Sequence, residues 1–131
     1  MKHVSAAVII TNHKVLITRR SPNQKLAGFW EFPGGKFEQN ETPQQCLERE
    51  LKEELGVGST AGKILLESIY QYEHGEICLI AIKTVLHDTS FTLSVHDKFE
   101  WVKFDDLLNY KLAPADIPIA EEILKTHLTH S

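Results

Sequence analysis

The segment from Thr42 to Gly56 constrains the fold most, because it carries both a start and a stop signal for one helix. Thr42 precedes Pro43, which is the preferred order for an N-cap and a first helical residue. Gln45 stands three residues after Thr42, where a capping box needs Glu or Gln. Gly56 stands where a helix commonly ends in a left-handed residue. The sequence therefore predicts one helix between Thr42 and Gly56.

This helix has two faces of opposite character. One face carries leucines at every fourth residue and is predicted to be buried. A second face carries three glutamates at i, i+3 and i+4, where like charges repel each other. The leucines are Leu47, Leu51 and Leu55, and the glutamates are Glu50, Glu53 and Glu54. Either a hard divalent cation such as Mg²⁺ offsets this repulsion, or the glutamates form a solvated acidic surface.

The size and charge of the chain exclude several classes of protein. Its 131 residues predict a single domain spanning 1–131. A formal charge of −4 argues against a nucleic-acid polymer as the partner. The longest apolar run, 4–10, is too short to span a membrane, and no signal peptide is evident. Cys46 and Cys78 fit reduced thiols, so we expect a cytoplasmic protein. We also expect the protein to be a monomer or a weak dimer.

The rest of the chain is predicted to form strands, with a second helix that ends near residue 128. Alternating apolar residues and turn signals predict the strands, which makes the fold class α/β. The predicted strands cover 2–10, 14–19, 30–33, 62–72, 76–86 and 100–104. Asp116-Ile117-Pro118 predicts the start of the last helix, which reaches about residue 128. Ile119, Ile123 and His127 are expected on one face of it.

The spacing around the first helix matches a known motif. Gly35, Glu41, the run 49–51, the pair 53–54 and the pair 56–57 reproduce the Nudix box, with nine specified positions over 23 residues. The chain resembles MutT-type Nudix hydrolases over nearly its full length. The resemblance implies an α/β/α sandwich with a mixed sheet. It also implies hydrolysis of a nucleoside diphosphate linked to another group, with Mg²⁺ as cofactor and Mn²⁺ as a possible substitute.

The resemblance also assigns roles around the helix. It implies metal ligands at the carbonyl of Gly34 and at the three glutamates, with Glu50 or Glu53 as the general base. Arg49 is expected to orient a glutamate rather than to bind substrate. Glu41 is expected to be structural, near the helix N-terminus that favours negative charge.

Substrate contacts are expected on the strands before the helix. Arg20 ends the second strand, where it is either a phosphate contact or a solvated charge. Lys36 follows the paired glycines and is likewise either a phosphate contact or a solvated charge. In MutT-type proteins the segment that corresponds to Glu31-Phe32-Pro33-Gly34-Gly35 contacts the nucleotide, which makes Glu31 and Phe32 substrate-binding candidates.

The base-reading residue is expected near the second helix. The run 112–118 resembles the corresponding run of the CTP pyrophosphohydrolases, a branch of the MutT-type family. An ionised Asp116 only accepts hydrogen bonds, which suits the amino group of cytosine. A protonated Asp116 also donates, which suits oxidised guanine. Alternatively, Asp116 only caps the last helix.

One position departs from the family pattern. MutT-type enzymes often carry a further acid six residues before the last tryptophan, and this chain has Val95 there. Either the neighbouring Asp97 replaces that acid through a shifted loop, or water completes the metal site. His96 is more readily explained as a solvated loop residue than as a ligand.

The sequence thus predicts a Mg²⁺-dependent nucleoside triphosphate pyrophosphohydrolase that cleanses the nucleotide pool. Candidate substrates are 8-oxo-dGTP, CTP, dCTP and 5-methyl-dCTP, and the products are a nucleoside monophosphate and pyrophosphate. One alternative is a non-catalytic nucleotide-reading module, although such modules typically lose the acids of the box. Another alternative is a Nudix hydrolase of a different nucleoside diphosphate derivative.

Overall fold

The computed structural model describes residues 1–129, and the side chains of residues 1–126. The strands are β1 (Lys2–Val8), β2 (Ile10–Thr11), β3 (Lys14–Arg20), β4 (Trp30–Glu31), β5 (Gly34–Lys36), β6 (Ser59–Tyr72), β7 (Gly75–Leu86) and β8 (His96–Lys103). The helices are α1 (Pro43–Leu55) and α2 (Ile117–Thr129). Two short 3₁₀ turns, Phe104–Asn109 and Pro114–Asp116, precede α2.

One of the two sheets is mixed, as the resemblance implied. Its strand order is β5-β1-β7-β6. Strand β1 is parallel to β7 and antiparallel to β5, and β6 forms an antiparallel hairpin with β7. Strand β5, which contains Gly34 and Gly35, is therefore an edge strand of this sheet that pairs with β1.

A second sheet is built around β3. Strand β8 pairs antiparallel along the length of β3, while β2 and β4 pair with its two ends. This sheet brings β4, which carries Glu31, next to the end of β3, which carries Arg20. Among the described residues, no helix is both long and apolar enough to cross a membrane.

Strand β1 divides the core into two layers. Ala6 and Val8 face a cluster that contains residues of α2, whereas Ala7 and Ile9 face a cluster that contains the leucines of α1. Successive side chains of a strand point to opposite faces, so one strand can serve both clusters. The predicted α/β/α sandwich is confirmed by this arrangement.

The predicted signals of α1 are present in the structure. The hydroxyl of Thr42 accepts a hydrogen bond from the Gln45 N–H (3.1 Å), and the Gln45 side chain accepts one from the Thr42 N–H (3.0 Å). Gly56 takes the left-handed conformation, with φ 72°. Leu47, Leu51 and Leu55 are fully buried. Local chemistry alone therefore defines both ends and the buried face of this helix.

Some element boundaries were wrong in the sequence prediction. Residues 34–36 lie outside the predicted strand 30–33 but form β5, because they pair with Val4, Ser5 and Ala6 of β1. The last strand begins at His96 rather than near residue 100, because β8 continues its pairing with β3 up to Arg20. The predicted position of His127 on a buried face lies outside the described side chains.

Candidate active site

One cleft of about 310 Å³ collects most of the predicted site residues. It is bordered by β1, β5 and α1 on one side and by the segment before α2 on the other. The predicted residues that line it are Arg20, Glu31, Phe32, Gly34, Lys36, Glu50, Glu54 and Asp116. Glu53 does not belong to this lining: its side chain is 59% exposed, against 14% for Glu50. The structure therefore brings together all the predicted residues except Glu53.

Two glycines allow β5 to lie against both β1 and α1. A Cβ atom at Gly34 would overlap the carbonyl oxygen of Ser5, which is backbone. A Cβ atom at Gly35 would overlap the carboxyl group of Glu50. Only glycine leaves this space free, so the strand carbonyls and the helix glutamates can face the same cleft.

Arg49 organises the acidic face of α1. Its guanidinium donates to Glu50 (2.8 Å) and to Glu53 (3.2 Å). Part of the repulsion among the glutamates is therefore offset by an arginine of the same helix. Arg49 also donates to the Lys36 carbonyl (3.0 Å), which ties α1 to the end of β5.

Glu41 fixes the guanidinium of Arg49 from the other side. Two hydrogen bonds of 2.6 and 2.9 Å join them. This interaction, together with a backbone hydrogen bond from Glu38, lowers the pKa of Glu41 to about 2. Glu41 does not line the cleft. Its contacts are those of a residue that positions Arg49.

Glu54 is the most perturbed carboxyl group of the helix. Burial, followed by the charges of Glu31 and Glu50, raises the pKa of Glu54 to about 8. Its Oε2 atom is buried and has no hydrogen-bond partner. A carboxylate in this position lacks compensation that a bound cation would supply.

The oxygen ligands around this position fit a hard divalent cation. Glu50, Glu54 and Gly34 line the same cleft, and Mg²⁺ prefers oxygen ligands and retains several waters. Within the described residues, no three His, Cys, Asp or Glu side chains already form a complete metal-binding group. Arg49 holds Glu50 and Glu53, while Glu54 is more buried and lacks a partner at Oε2, so Glu50 and Glu54 are the carboxylates of the cleft that could hold such a cation.

Arg20, Glu31 and His96 form a network beside the acidic cluster. Arg20 donates to the Glu31 carboxylate (3.0 Å), and the His96 Nε2 lies 2.8 Å from the other Glu31 oxygen. The His96 side chain is fully buried in β8, so the expectation of a solvated loop histidine was wrong. His96 does not line the cleft. It contacts Glu31, which does.

Asp97 is occupied by a different partner. Both of its carboxylate oxygens accept hydrogen bonds from Arg19, at 2.9 and 2.8 Å. This ion pair lowers the pKa of Asp97. Asp97 does not line the cleft, so the position six residues before Trp101 gains no replacement acid from it.

Asp116 is a buried carboxyl group that also lines the cleft. It is 5% exposed, and its Oδ2 accepts a hydrogen bond from the Phe32 N–H (2.9 Å). Burial and the nearby charge of Glu31 raise the pKa of Asp116 well above its usual value. This hydrogen bond ties Asp116 to Phe32, which lies between β4 and β5, and the environment favours the protonated carboxyl.

A group of cations lines the same cleft. Lys36 and Arg20 were predicted contacts, but Lys2 and Lys25 have no motif that could have identified them. The proximity of Lys2 lowers the pKa of Lys36. Cationic groups near one another at a cleft suit a ligand with several negative charges.

Two aromatic side chains of the cleft were also missed. Tyr72 ends β6, and its hydroxyl accepts a hydrogen bond from the Ala115 N–H (2.9 Å). His74 lies two residues further, in the turn before β7, and its ring stacks on Tyr72 with the ring centroids 5.3 Å apart and the planes 10° from parallel. Both rings line the cleft. The alternation of Tyr70 and Tyr72 predicted only a half-buried strand.

Comparison with known proteins decides which family this arrangement represents. The family model described as NUDIX domain matches residues 1–123. The chain belongs to the NUDIX family. As a NUDIX protein it shares 36% identity over 124 residues with the "CTP pyrophosphohydrolase" of Escherichia coli K12, covering 95% of this chain and 92% of that relative. It is also 50% identical over 64 residues to the "8-oxo-dGTP diphosphatase" of Proteus vulgaris, covering 48% and 57%.

Solved structures show the same NUDIX fold. The solution structure of the E. coli ORF135 protein superposes with a TM-score of 0.80 at 36% identity, covering 97% of this chain and 91% of that chain. The crystal structure of the MutT protein from Methanosarcina mazei Go1 gives 0.83 at 25% identity, covering 96% and 94%. The predicted family, fold and class of enzyme, a hydrolase of phosphoanhydride bonds, are confirmed. NUDIX hydrolases act on nucleotides and generally use divalent metal ions.

Proposed function

We propose that this NUDIX hydrolase is a Mg²⁺-dependent nucleoside triphosphate pyrophosphohydrolase. It would convert 8-oxo-dGTP, or CTP and 5-methyl-dCTP, to the nucleoside monophosphate and pyrophosphate and so cleanse the nucleotide pool. The observation that carries the proposal is the cleft, which is lined both by Glu54, whose buried Oε2 atom has no hydrogen-bond partner, and by the buried Asp116. The names of the two curated relatives support the same substrates.

The carboxylate end of the cleft is the proposed metal site. Gly34, Glu50 and Glu54 line it; Gly34 would contribute its carbonyl, and Glu53 would join from the helix surface. When bound, the cation would neutralise charge on the phosphates and favour loss of a proton from a water molecule. Mn²⁺ has similar ligand preferences and would be a substitute.

The protein side chains would orient the triphosphate and accept the proton. Arg20 and Lys36 would bind phosphate oxygens, since both line the cleft. Glu50 is a better-placed general base than Glu53, because it faces the cleft while Glu53 faces solvent. Arg49 would keep Glu50 in one orientation through its 2.8 Å hydrogen bond.

Asp116 would read the edge of the base. In its ionised form it would accept from the exocyclic amino group of cytosine. In its protonated form it would also donate, which suits oxidised guanine. Burial of Asp116 favours the protonated form, so the structure adds weight to the oxidised guanine nucleotide without excluding cytosine.

A substrate panel tests the proposal. The purified protein would be incubated with Mg²⁺ and, separately, 8-oxo-dGTP, dGTP, CTP, dCTP and 5-methyl-dCTP, and kcat/KM would be obtained from released pyrophosphate. We expect kcat/KM for one modified or cytosine nucleotide to exceed kcat/KM for dGTP by at least about tenfold. Absence of pyrophosphate from every nucleotide would overturn the proposal.

Conservative variants of the helix glutamates test the metal site. Glu50→Gln and Glu53→Gln keep the side-chain size but lose the charge, so turnover should fall by about 100-fold or more while the fold persists. The matched control is Glu121→Gln, an exposed glutamate of α2. Normal turnover in Glu53→Gln would show that Glu53 is not part of the metal site, so that only Glu50 and Glu54 would remain as its carboxylate ligands.

The proposal extends to partners and location. We infer that a nucleotide is the ligand, that nucleic-acid polymers and membranes are not partners, and that the protein is a cytoplasmic monomer or weak dimer. The two cysteines are free and buried, which is consistent with a reducing compartment. Sedimentation analysis across a range of protein concentrations tests the oligomeric state.

A further inference from the structure

A row of rings along β6 ends inside the cleft. Tyr70 and Tyr72 are two residues apart in β6, so they project from the same face of the strand, and His74 follows in the turn. The centroids of the Tyr70 and Tyr72 rings are 4.6 Å apart, and those of Tyr72 and His74 are 5.3 Å apart. Tyr70 and His74 are both exposed and Tyr72 between them is half-buried, but His74 lines the cleft whereas Tyr70 does not. A flat imidazole thus lies at the border of the cleft with one tyrosine behind it.

Tyr72 is held firmly enough to support the imidazole. Its hydroxyl accepts a hydrogen bond from the Ala115 N–H, and Ser68 of the same strand donates to the Ala115 carbonyl (2.8 Å). Ala115 directly precedes Asp116. The aromatic row and the proposed base-reading carboxylate are therefore joined through one residue.

The surroundings of the two rings suit a nucleobase. Val4, Ile77 and Leu79 contribute apolar surface to the same cleft, while Asp116 supplies a buried polar group. A base needs contact on its faces and hydrogen bonds at its edge, and aromatic rings supply the first of these. In the proposed function, cationic side chains of this cleft bind the phosphates and are therefore not needed to bind the base.

We propose that His74, backed by Tyr72, is the stacking residue for the nucleobase of the substrate. This inference rests on the proposed function and assigns a further binding residue to the same cleft. Stacking accepts every base, because each base has a π face, whereas edge contacts discriminate between bases. His74 therefore sets affinity for the nucleoside part, and Asp116 sets the preference among bases.

The test is His74→Ala, with Glu73→Ala as the matched control from the same exposed turn. The dissociation constants of dCMP and 8-oxo-dGMP should both increase by at least about fivefold in His74→Ala, as expected for the loss of one stacking contact. The KM for the triphosphate should rise similarly, with little change in kcat. Glu73→Ala should match the wild type, because Glu73 does not line the cleft.

Two further measurements separate stacking from other roles. His74→Phe should restore the affinity for both monophosphates, because it retains an aromatic face without the imidazole nitrogens. The inhibition constant of pyrophosphate, which has no base, should not change in His74→Ala. Unchanged monophosphate affinity in His74→Ala would overturn the inference, and so would an equal weakening of pyrophosphate.

The outcome for His74 is distinguishable from the outcome for the proposed function. If the wild type hydrolyses the triphosphates but His74→Ala binds monophosphates normally, only the stacking role fails. If the wild type releases no pyrophosphate yet His74→Ala still weakens monophosphate binding, the hydrolytic proposal fails and the stacking role remains. A wild type that binds no monophosphate overturns the stacking role.

Discussion

Asp116 is a carboxyl group whose ionised form is disfavoured in the folded protein. Its pKa is raised above the usual 3.8, first by burial and then by Glu31. The folded state therefore keeps a proton that the unfolded chain releases, so the free energy of unfolding falls as the pH rises above about 4. Asp116→Asn cannot ionise and still accepts from the Phe32 N–H. We expect this variant to be more stable than the wild type near neutral pH, with the difference disappearing at about pH 4.

Urea denaturation at several pH values measures this difference. Asp106→Asn, an exposed aspartate in the 3₁₀ turn, is the control and should show no such trend. The same Asp116→Asn protein should also alter the preference among bases in the substrate panel, since an amide donates and accepts at every pH. A pH-independent difference between Asp116→Asn and the wild type would show that Asp116 stays ionised.

At the scale of single elements, we expect alanine substitutions at the two glycines of β5 to have different effects on stability and turnover. In Gly34→Ala the new Cβ meets the backbone of Ser5, so β5 must move away from β1 and stability should fall. In Gly35→Ala the Cβ meets the flexible Glu50 side chain, which can turn aside. We expect Gly35→Ala to lose turnover by about 100-fold with a smaller loss of stability. Thermal unfolding and pyrophosphate release measure the two effects.

The two variants serve as controls for each other. Both add one methyl group to the same strand, so a general effect of lost glycine would appear in both. Full turnover in Gly35→Ala would mean that the position of the Glu50 carboxylate does not matter for the reaction.

A second prediction at this scale concerns the contribution of the α1 capping box to stability. Thr42→Ala removes the hydroxyl that accepts the Gln45 N–H and should lower the free energy of unfolding by about 1 kcal/mol. Lys52→Ala, at an exposed site of the same helix, should have a much smaller effect. Chemical denaturation distinguishes them. Equal stability of Thr42→Ala and the wild type would show that the cap contributes nothing in the folded protein.

The ease of predicting an element from the sequence depends on how local its determinants are. Helix α1 was predicted at both ends, because Thr42, Gln45 and Gly56 act within the helix itself. Strand β5 and the start of β8 were not, because their pairing partners lie in β1 and β3. Long-range pairing leaves no short sequence signature.

The same distinction applies to the cleft. Glu50 and Asp116 were identified because motifs surround them. Lys2, Tyr72 and His74 lie on elements far apart in the sequence, and only the arrangement of β1 and β6 brings them to one cleft. The burial of His96 likewise follows from the extension of β8, which its isolated position in the sequence could not indicate.

At the scale of the whole molecule, the two core clusters on opposite faces of the sheets allow a test of cooperativity. Leu51 belongs to the cluster of α1, and Ile123 to the cluster of α2. Leu51→Ala and Ile123→Ala should each cost about 2–5 kcal/mol of unfolding free energy. Because the residues pack in separate clusters, the double variant should lose about the sum of the two. Calorimetry should show a single transition in every variant that folds.

A loss well below the sum would mean that the two layers communicate through the sheets. Two separate transitions would mean that the layers unfold independently. Ile123→Val, which removes a single methylene-sized group, provides a milder variant if the double alanine variant does not fold.

The parallel pairing of β1 with β7 has a consequence for synthesis of the chain. Lys2 pairs with Ile77, so β1 is synthesised well before the strand that pairs with one of its two edges, although β5 can pair with the other edge earlier. An apolar strand that remains unpaired is prone to aggregate, and such distant pairings form slowly. We therefore expect the yield of soluble protein to depend strongly on growth temperature and translation rate, even where the finished protein is stable.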